Sequence, residues 1–149
     1  MEAILFDIDG TLSDVKHRRH FVEKEKHDWN SFFSEIPNDK SIKPLVDLAR
    51  ILIKHDEKAI LLVTGRPEKT RSITEEWLLK HKLILDFSSR LFMRKDNDWR
   101  EDHVVKHDIL KDIRTSGYEP VLIFDDRQSV INMWSDEGIC TAKIVTGNL

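Results

Sequence analysis

Short apolar runs alternate along the chain with longer stretches in which apolar residues recur every three or four positions. The short runs predict buried β-strands, and the recurring spacing predicts amphipathic helices. Five strands are predicted from these runs, over residues 3–8, 59–63, 89–93, 121–124 and 142–145. Because strands alternate with helices, the pattern indicates a three-layer α/β fold built on a parallel sheet.

Helices are predicted in the connections between the strands. The polar and aromatic segment 13–40 should contain one or two short helices, and longer helices should cover 42–55 and 68–82. A further helix is expected to have Asp102 as its N-cap and to end at Gly117. The connecting segments 13–40 and 67–88 are too short to form a large separate domain that covers the end of the sheet. We therefore expect a fold with no cap or a minimal cap, in which the active site is open to solvent.

Composition limits the class of protein. The 149 residues predict one domain over residues 1–149 with a substantial core. No apolar run approaches a membrane span, and Met1 leads almost directly into the first strand, so we expect no membrane contact and a cytoplasmic location. The lone Cys140 excludes an internal disulfide and is expected to be buried before the last strand. The net charge of −3 argues against a general attraction to nucleic acid.

Two aspartates, Asp7 and Asp9, follow the first apolar run and precede Gly10 and Thr11. In an extended segment positions i and i+2 share a face, so the two carboxylates should crowd together at the carboxyl end of the strand. Such crowding is costly unless a cation or a functional need compensates for it. The alternative interpretation is an ordinary strand followed by an Asx-rich turn.

Polar clusters also follow three later strands. They are Thr64-Gly65-Arg66, then Arg94 and Asp96 with Lys106 further on, and Asp125-Asp126-Arg127. In a parallel sheet the carboxyl ends of the strands share one rim, so carboxylates, a hydroxyl and cations should converge there. This combination suits a phosphate group and a divalent metal ion.

The four clusters, in this order and with helical spacers, resemble the four motifs of the haloacid dehalogenase (HAD) superfamily of phosphatases. The resemblance covers nearly the whole chain and implies a Rossmann-like sheet. A closer resemblance is to the 3′-phosphatase domain of phage-type polynucleotide kinase/phosphatases. It is carried by Arg18, Val63-Thr64-Gly65-Arg66, Arg94, Asp102-His103-Val104-Val105-Lys106, Phe124-Asp125-Asp126-Arg127 and Met133-Trp134. No GxxxxGK phosphate loop is present, so no kinase half is expected in this chain.

The chemistry of these residues suggests catalytic roles. Asp7 can act as the nucleophile and form an aspartyl-phosphate, and Asp9 can protonate the leaving oxygen and later deprotonate water. Thr64 offers a hydroxyl to the phosphoryl oxygens, while Gly65 and Arg66 offer backbone amides.

A divalent metal is also expected, and Mg²⁺ suits the site because it prefers oxygen ligands. Asp7, the backbone carbonyl of Asp9 and an acid after the fourth strand would supply them. Asp125 and Asp126 are both candidates for that acid, and the resemblance favours Asp126, with Asp125 in a supporting position. Lys106 is expected to add a catalytic positive charge that holds the Asp7 intermediate.

Four arginines are candidate substrate clamps, because a planar guanidinium suits phosphate. They are Arg18, Arg66, Arg94 and Arg127. Arg66 resembles a substrate contact of the family, and Arg18 matches by spacing, although the adjacent Arg19 is an alternative. For Arg94 and Arg127 the alternative is an ion pair with a nearby acid such as Asp102. Asp102 also matches a family acidic residue near the lysine, which implies that it orients that lysine.

Three functions remain open. The leading one is a Mg²⁺-dependent phosphomonoesterase acting on polynucleotide 3′-phosphate ends, and a phosphatase of mononucleotides or other small metabolites is the alternative within enzymes. A phospho-accepting signalling domain is an alternative from another class, but such domains place their acidic pair after the first strand, whereas here it follows the fourth. The histidines form no HExxH motif and have no partner cysteines, so zinc is not expected. Trp29 and Trp99 could stack on a base, but packing is the favoured interpretation.

Overall fold

The computed structural model describes residues 1–55 and 57–147. Its strands are β1 (Glu2–Phe6), β2 (Ser13–Asp14), β3 (Lys40–Ser41), β4 (Ala59–Pro67), β5 (Leu91–Arg94), β6 (Glu119–Asp125) and β7 (Cys140–Lys143). Five of them form one sheet in the order β5-β4-β1-β6-β7, and every neighbouring pair in it is parallel. The α/β architecture expected from the alternating pattern is therefore confirmed.

Helices connect these strands. They are α1 (His20–Glu23), α2 (Trp29–Ser34), α3 (Lys43–His55), α4 (Arg71–Lys80), α5 (Phe87–Arg90), α6 (Asp102–Thr115) and α7 (Gln128–Asp136), with 3₁₀ turns at Lys16–Arg18, Ile36–Asn38 and Glu68–Thr70. Helix α6 ends just before Gly117, whose φ of +94° suits the left-handed position after a helix. No helix within the described part of the chain is long and apolar enough to cross a bilayer.

The core has two halves, one on each face of the sheet. Successive side chains of a strand point to opposite faces, so Leu5 and Phe6 enter different halves. On one face α3 and α4 pack against the sheet, with Trp77 fully buried among apolar neighbours. On the other face α6 and α7 cover the sheet and bury Trp134. The molecule therefore has the three layers that the sequence predicts.

The segment after β1 forms a small insert. Strands β2 and β3 pair antiparallel, and the chain between them carries α1 and α2. Ile36 in this segment is fully buried in the same half of the core as Trp77, so the insert is packed onto the domain rather than separate from it. Its size agrees with the expected minimal cap.

Three local expectations are wrong. Strand β1 ends at Phe6, two residues early, and the backbone N–H of Asp7 donates to the carbonyl of Phe124 at 2.9 Å. Cys140 lies in β7 and is exposed, because β7 is an edge strand of the sheet. Asp102 is the first residue of α6 rather than its N-cap, because its carboxylate is held by Arg94 instead of by the helix amides.

Candidate active site

A buried cluster of Asp7, Lys106 and Asp125 lies at the carboxyl ends of β1 and β6. Asp7 directly follows β1, Asp125 ends β6, and Lys106 projects from the second turn of α6. The Lys106 Nζ donates to one carboxylate oxygen of Asp7 and one of Asp125, both at 2.9 Å. Thr11 Oγ1 donates to the other oxygen of Asp7 at 3.3 Å. The lysine is therefore fixed between two carboxylates that lie on different strands.

Burial and the proximity of like charges have large effects on the pKa values in this cluster. Burial raises the pKa of Asp7 well above its ordinary value, and nearby Asp125 raises it further, while Lys106 opposes both effects. Burial alone would lower the pKa of Lys106, but the negative charges of Asp7 and Asp125 outweigh it and raise that pKa. The lysine is therefore charged at neutral pH, and it is in contact with two carboxyl groups.

The carboxylates also fit a divalent cation. Asp7, Asp125 and Asp126 each offer an oxygen, and these oxygens lie within 4.8 Å of one another. Three carboxylates and the one ammonium of Lys106 leave a formal charge of −2 in this cluster. Burial, followed by the charge of Asp125, raises the pKa of Asp126. Oxygen donors with unbalanced negative charge are what Mg²⁺ prefers, so the residues present fit this ion.

The two acids after β6 differ in their contacts. Asp125 is fully engaged, since one oxygen accepts from Lys106 and the other from the backbone N–H groups of Asp126 and Arg127. Asp126 lies against the turn at Gly10, where φ is +84° and a Cβ would come within 2.1 Å of an Asp126 oxygen. Glycine at position 10 is thus required both by the backbone and by the approach of Asp126.

Asp9 lies in a different environment from Asp7. Its carboxylate accepts from Arg66 Nε at 2.9 Å, from Arg18 Nη2 at 3.1 Å and from Ser13 Oγ at 3.3 Å. Burial would raise the pKa of Asp9, but the charges of Arg66 and Arg18 outweigh it and lower that pKa to about 2. Asp9 is therefore ionised, and it is oriented by two guanidinium groups.

Asp39 is a component of this site that sequence analysis missed. Its side chain is fully buried and accepts from Arg18 Nε at 2.8 Å, from Arg18 Nη2 at 2.9 Å and from Arg66 Nη2 at 3.2 Å. His17 Nε2 lies 2.6 Å from the same carboxylate. Asp39 belongs to no motif, and its arginine partners are 21 and 27 residues away along the chain, so no local pattern marks it.

The candidate clamps separate into buried and exposed groups. Arg18 and Arg66 are almost completely buried, and their guanidinium groups are bonded to Asp9 and Asp39. In this structure both arginines orient Asp9 instead of facing the solvent. The adjacent Arg19 is exposed and lines the cavity described below, so it stays the alternative for a substrate contact at that position.

Arg94, the last residue of β5, links the end of β4 to the start of α6. It donates to the carbonyl of Gly65 at 2.7 Å and to one oxygen of Asp102 at 2.8 Å. A Cβ at Gly65 would come within 2.2 Å of that same Asp102 oxygen, so only glycine permits this contact. Arg127, in contrast, has a side chain 62% exposed and only a 3.6 Å approach to Asp102. The ion pairs considered as alternatives for Arg94 and Arg127 are therefore both present.

One cavity of about 460 Å³ connects these groups. The sequence-predicted site residues that line it are Asp7, Asp9, Thr64, Gly65, Arg66, Arg94, Asp126 and Arg127. Lys106 and Asp125 lie beneath Asp7, and Arg18 lies behind Asp9. Thr64 Oγ1 accepts from the backbone N–H of Arg66 at 3.1 Å, which fixes the turn at the end of β4. The four separate clusters of the sequence therefore meet at one cavity.

No zinc-type cluster accompanies this site within the described residues. Asp7, Asp125 and Asp126 form the one group there of three or more histidine, cysteine or acidic side chains that could hold an ion. His17 is bonded to Asp39, and His107 lies 2.7 Å from Glu137.

Comparison with known proteins agrees with this arrangement. The fold is shared with a HAD family IA hydrolase from Entamoeba histolytica at 16% identity, covering 95% of this chain and 82% of that one, with a TM-score of 0.65. The chain belongs to the family described as the polynucleotide kinase PNKP phosphatase domain, which matches residues 1–149. It is thus an enzyme domain of the HAD phosphatase class.

Individual relatives are longer than this chain. A putative bifunctional polynucleotide kinase/RNA ligase of Autographa californica nuclear polyhedrosis virus is 25% identical over 139 residues, covering 93% of this chain and 18% of the viral protein. A chain of the Pnkp1/Rnl/Hen1 RNA repair complex is 26% identical, with a TM-score of 0.79, covering 99% of this chain and 43% of that one. A second structure of a Pnkp1/Rnl/Hen1 complex gives 25% identity and a TM-score of 0.77, covering 99% of this chain and 47% of that one. The chain therefore spans less than half the length of these relatives.

Proposed function

We propose that this chain is a Mg²⁺-dependent phosphomonoesterase that removes 3′-phosphates from polynucleotide ends through an aspartyl-phosphate on Asp7. The observation that carries the proposal is the position of Asp7. Its carboxylate opens into the cavity, while Lys106 holds one of its oxygens from beneath and Asp126 lies beside it. A nucleophile needs this combination of a fixed orientation and a nearby site for positive charge.

The first half of the reaction forms a bond between an Asp7 oxygen and phosphorus and breaks the bond from phosphorus to the leaving oxygen. Lys106 holds the other oxygen of Asp7, so the attacking oxygen is pre-oriented. Thr64 and the backbone of Gly65 line the same cavity and offer donors to the phosphoryl oxygens. Asp9 delivers a proton to the leaving oxygen, which departs as an alcohol.

Asp9 must therefore change its protonation state during the cycle. With its pKa lowered to about 2 it is ionised in the free enzyme. An incoming phosphate brings negative charge beside Asp9, and like charge raises the pKa of a carboxyl group, which allows it to carry the proton it delivers. In the second half of the reaction the ionised form takes a proton from water as that water attacks the phosphorus bound to Asp7.

The proposed Mg²⁺ ligands are Asp7, Asp126 and the backbone carbonyl of Asp9. One oxygen of Asp125 lies within the same 4.8 Å group, but both of its oxygens already accept hydrogen bonds from Lys106 or from backbone amides, so we propose a supporting role for Asp125. When bound, the ion would shield the phosphate from the surrounding carboxylates and stabilise the charge of the transition state.

Polynucleotide ends are the proposed substrates for two reasons, and the 3′ position is proposed from the resemblance of the motifs to a 3′-phosphatase domain. The family is named for polynucleotide kinase, and the relatives include a polynucleotide kinase/RNA ligase and a component of an RNA repair complex. The cavity of about 460 Å³ also exceeds what one phosphate needs and has the size of a nucleotide site. The same size supports a second candidate, a phosphatase of free mononucleotides. The chain matches a family of phosphatase domains, and this match does not support a phospho-accepting signalling domain.

Matched oligonucleotides test the proposal. We expect kcat/KM for a 3′-phosphorylated oligonucleotide to exceed that for its 5′-phosphorylated counterpart, and activity to disappear on chelation and to return with Mg²⁺. A 3′-mononucleotide serves as the third substrate. Preference for the 5′ end would overturn the 3′ assignment, equal rates on the oligonucleotide and the mononucleotide would favour the second candidate, and full activity in EDTA would overturn the metal requirement.

A further inference from the structure

Four aromatic side chains line the cavity that contains Asp7 and Asp9. Trp29, Phe32 and Phe33 come from α2 in the insert, and Trp99 comes from the loop between β5 and α6. The three rings on α2 are half-buried, whereas Trp99 is 68% exposed. Two segments far apart in sequence thus present one aromatic wall to the phosphate site.

The rings on α2 are fixed by one another. Trp29 stacks on Phe33 with ring centroids 5.8 Å apart and meets the edge of Phe32 at 5.7 Å. The Phe32 ring in turn lies 4.3 Å from the guanidinium carbon of Arg18, which is bonded to Asp9. The wall is therefore anchored to the acid/base carboxylate itself.

Trp99 is held in place by the backbone on either side of it. The carbonyls of Asp98 and Arg100 both accept from Arg94 Nη1, at 2.9 and 2.6 Å. The same guanidinium donates to the carbonyl of Gly65, beside Thr64. An exposed indole on a loop whose backbone is fixed in this way to the end of β4 costs less ordering when a ligand covers it, which favours binding.

The wall is accompanied by positive charge. Arg19, Lys69, Lys95 and Arg127 line the same cavity, and Lys69 Nζ lies 5.7 Å from the centre of the Phe33 ring. Aromatic faces beside cations suit a ligand that combines a flat ring with phosphate groups, as a nucleotide does. A sugar or glycerol phosphate has no aromatic ring to stack on the indole of Trp99.

We propose that Trp99, backed by Trp29 at a centroid distance of 6.1 Å, is a stacking subsite for the nucleobase of the nucleotide that carries the 3′-phosphate. The inference rests on the proposed function and adds to it the part of the substrate that the enzyme recognises beyond the phosphate. Stacking is tolerant of sequence because every base has an aromatic face. The subsite therefore selects nucleotides without selecting one base.

The test compares two 3′-phosphorylated oligonucleotides that differ only in the terminal residue, which is either a normal nucleotide or an abasic one. We expect the native enzyme to prefer the normal terminus by roughly 5- to 150-fold in kcat/KM, the range of one base stacked on an aromatic ring. Trp99→Ala should lower kcat/KM for the normal terminus and leave kcat/KM for the abasic terminus unchanged, so that the preference is lost. Trp99→Phe should retain most of the preference. Ile84→Ala is the matched control, because Ile84 is 67% exposed and does not line the cavity.

Binding provides a second readout that does not depend on turnover. Tryptophan fluorescence of Asp7→Asn should be quenched by the normal 3′-phosphorylated oligonucleotide, and Trp99→Ala in that background should remove most of the quenching. Equal loss of activity by Trp99→Ala on both substrates, or a native enzyme indifferent to the missing base, would overturn the subsite while 3′-phosphate hydrolysis stands. Failure to hydrolyse either oligonucleotide while glycerol phosphate is hydrolysed would instead overturn both the proposed function and the subsite.

Discussion

Asp7 and Asp9 are separated by one residue, yet the structure places them in opposite electrostatic environments. Asp7 lies among acids, with Asp125 and Asp126 beside it and only Lys106 to balance them. Asp9 lies against two guanidinium groups, which a further carboxylate, Asp39, holds in place. Burial and Asp125 raise the pKa of Asp7, and the arginines lower that of Asp9.

The two environments correspond to different proposed roles for the two halves of the site. Without a cation, the proposed nucleophile Asp7 has the raised pKa and the proposed acid/base Asp9 has the lowered one. The proposed roles therefore require a cation that keeps Asp7 ionised and a bound phosphate that raises the pKa of Asp9. With all three carboxylates ionised, the acidic half around Asp7 has a formal charge of −2, which favours the binding of a cation. In the basic half, two carboxylates and two guanidiniums balance without one. The following four predictions test this contrast.

The largest effect is expected at the nucleophile. Asp7→Asn should lower kcat by at least ~10³-fold while the protein remains folded, because removing one member of a catalytic unit disables the whole unit. The measurement is single-substrate kinetics together with circular dichroism. Asp112→Asn, at an exposed position of α6, is the control and should keep native activity. Near-native turnover in folded Asp7→Asn would contradict the proposal that Asp7 is the nucleophile.

The basic half is tested through Asp39. Asp39→Asn leaves the two buried guanidinium groups with less compensating charge, so the free energy of unfolding should fall by about 3–5 kcal/mol. Misplacing Asp9 should lower kcat by about 100-fold with less change in KM. Asp47→Asn breaks surface ion pairs with Lys43 and Arg50 and should cost less than about 1 kcal/mol. If the two variants prove equally stable and active, Asp39 does not position Asp9.

The acidic half should respond to metal even without substrate. Mg²⁺ at about 100 times its Kd should stabilise the folded state by about 2.7 kcal/mol, seen as a higher Tm. Asp126→Asn should weaken this stabilisation and raise the Mg²⁺ concentration needed for activity, and Asp125→Asn should have an equal or milder effect on that concentration. If the Tm of the native protein does not change with Mg²⁺ concentration, the proposed ion site is wrong.

The smallest effect concerns acid stability. The pKa of Asp9 is lowered in the folded state, so its contribution is present above the unfolded pKa of about 4 and is lost as pH falls towards 2. In metal-free buffer, the native protein should lose no more than about 2 kcal/mol of unfolding free energy from this group over that range. The free energy of unfolding of Asp9→Asn should lack this pH-dependent contribution. Parallel pH curves for the two proteins would argue against the arginine environment of Asp9.

Much of the fold was readable from local patterns. The alternation of apolar runs with helical spacing led to the correct parallel α/β sheet, because strands buried on both faces must be nearly all apolar. The exceptions are places where a tertiary contact overrides a local preference. Asp102 is a good N-cap by type, but Arg94 holds its carboxylate. Cys140 suits a core, but β7 is the sheet edge.

The sequence by itself determined which residues reach the rim of the sheet, because the carboxyl ends of parallel strands necessarily meet there. It marked Asp7, Asp9 and the acids after β6 by their position alone. Only the tertiary structure decided which charges became neighbours. Asp39 reached Arg66 across 27 residues, and Lys106 reached Asp7 across 99. Electrostatic effects depend on distance and burial, and neither is encoded in the spacing of residues along the chain.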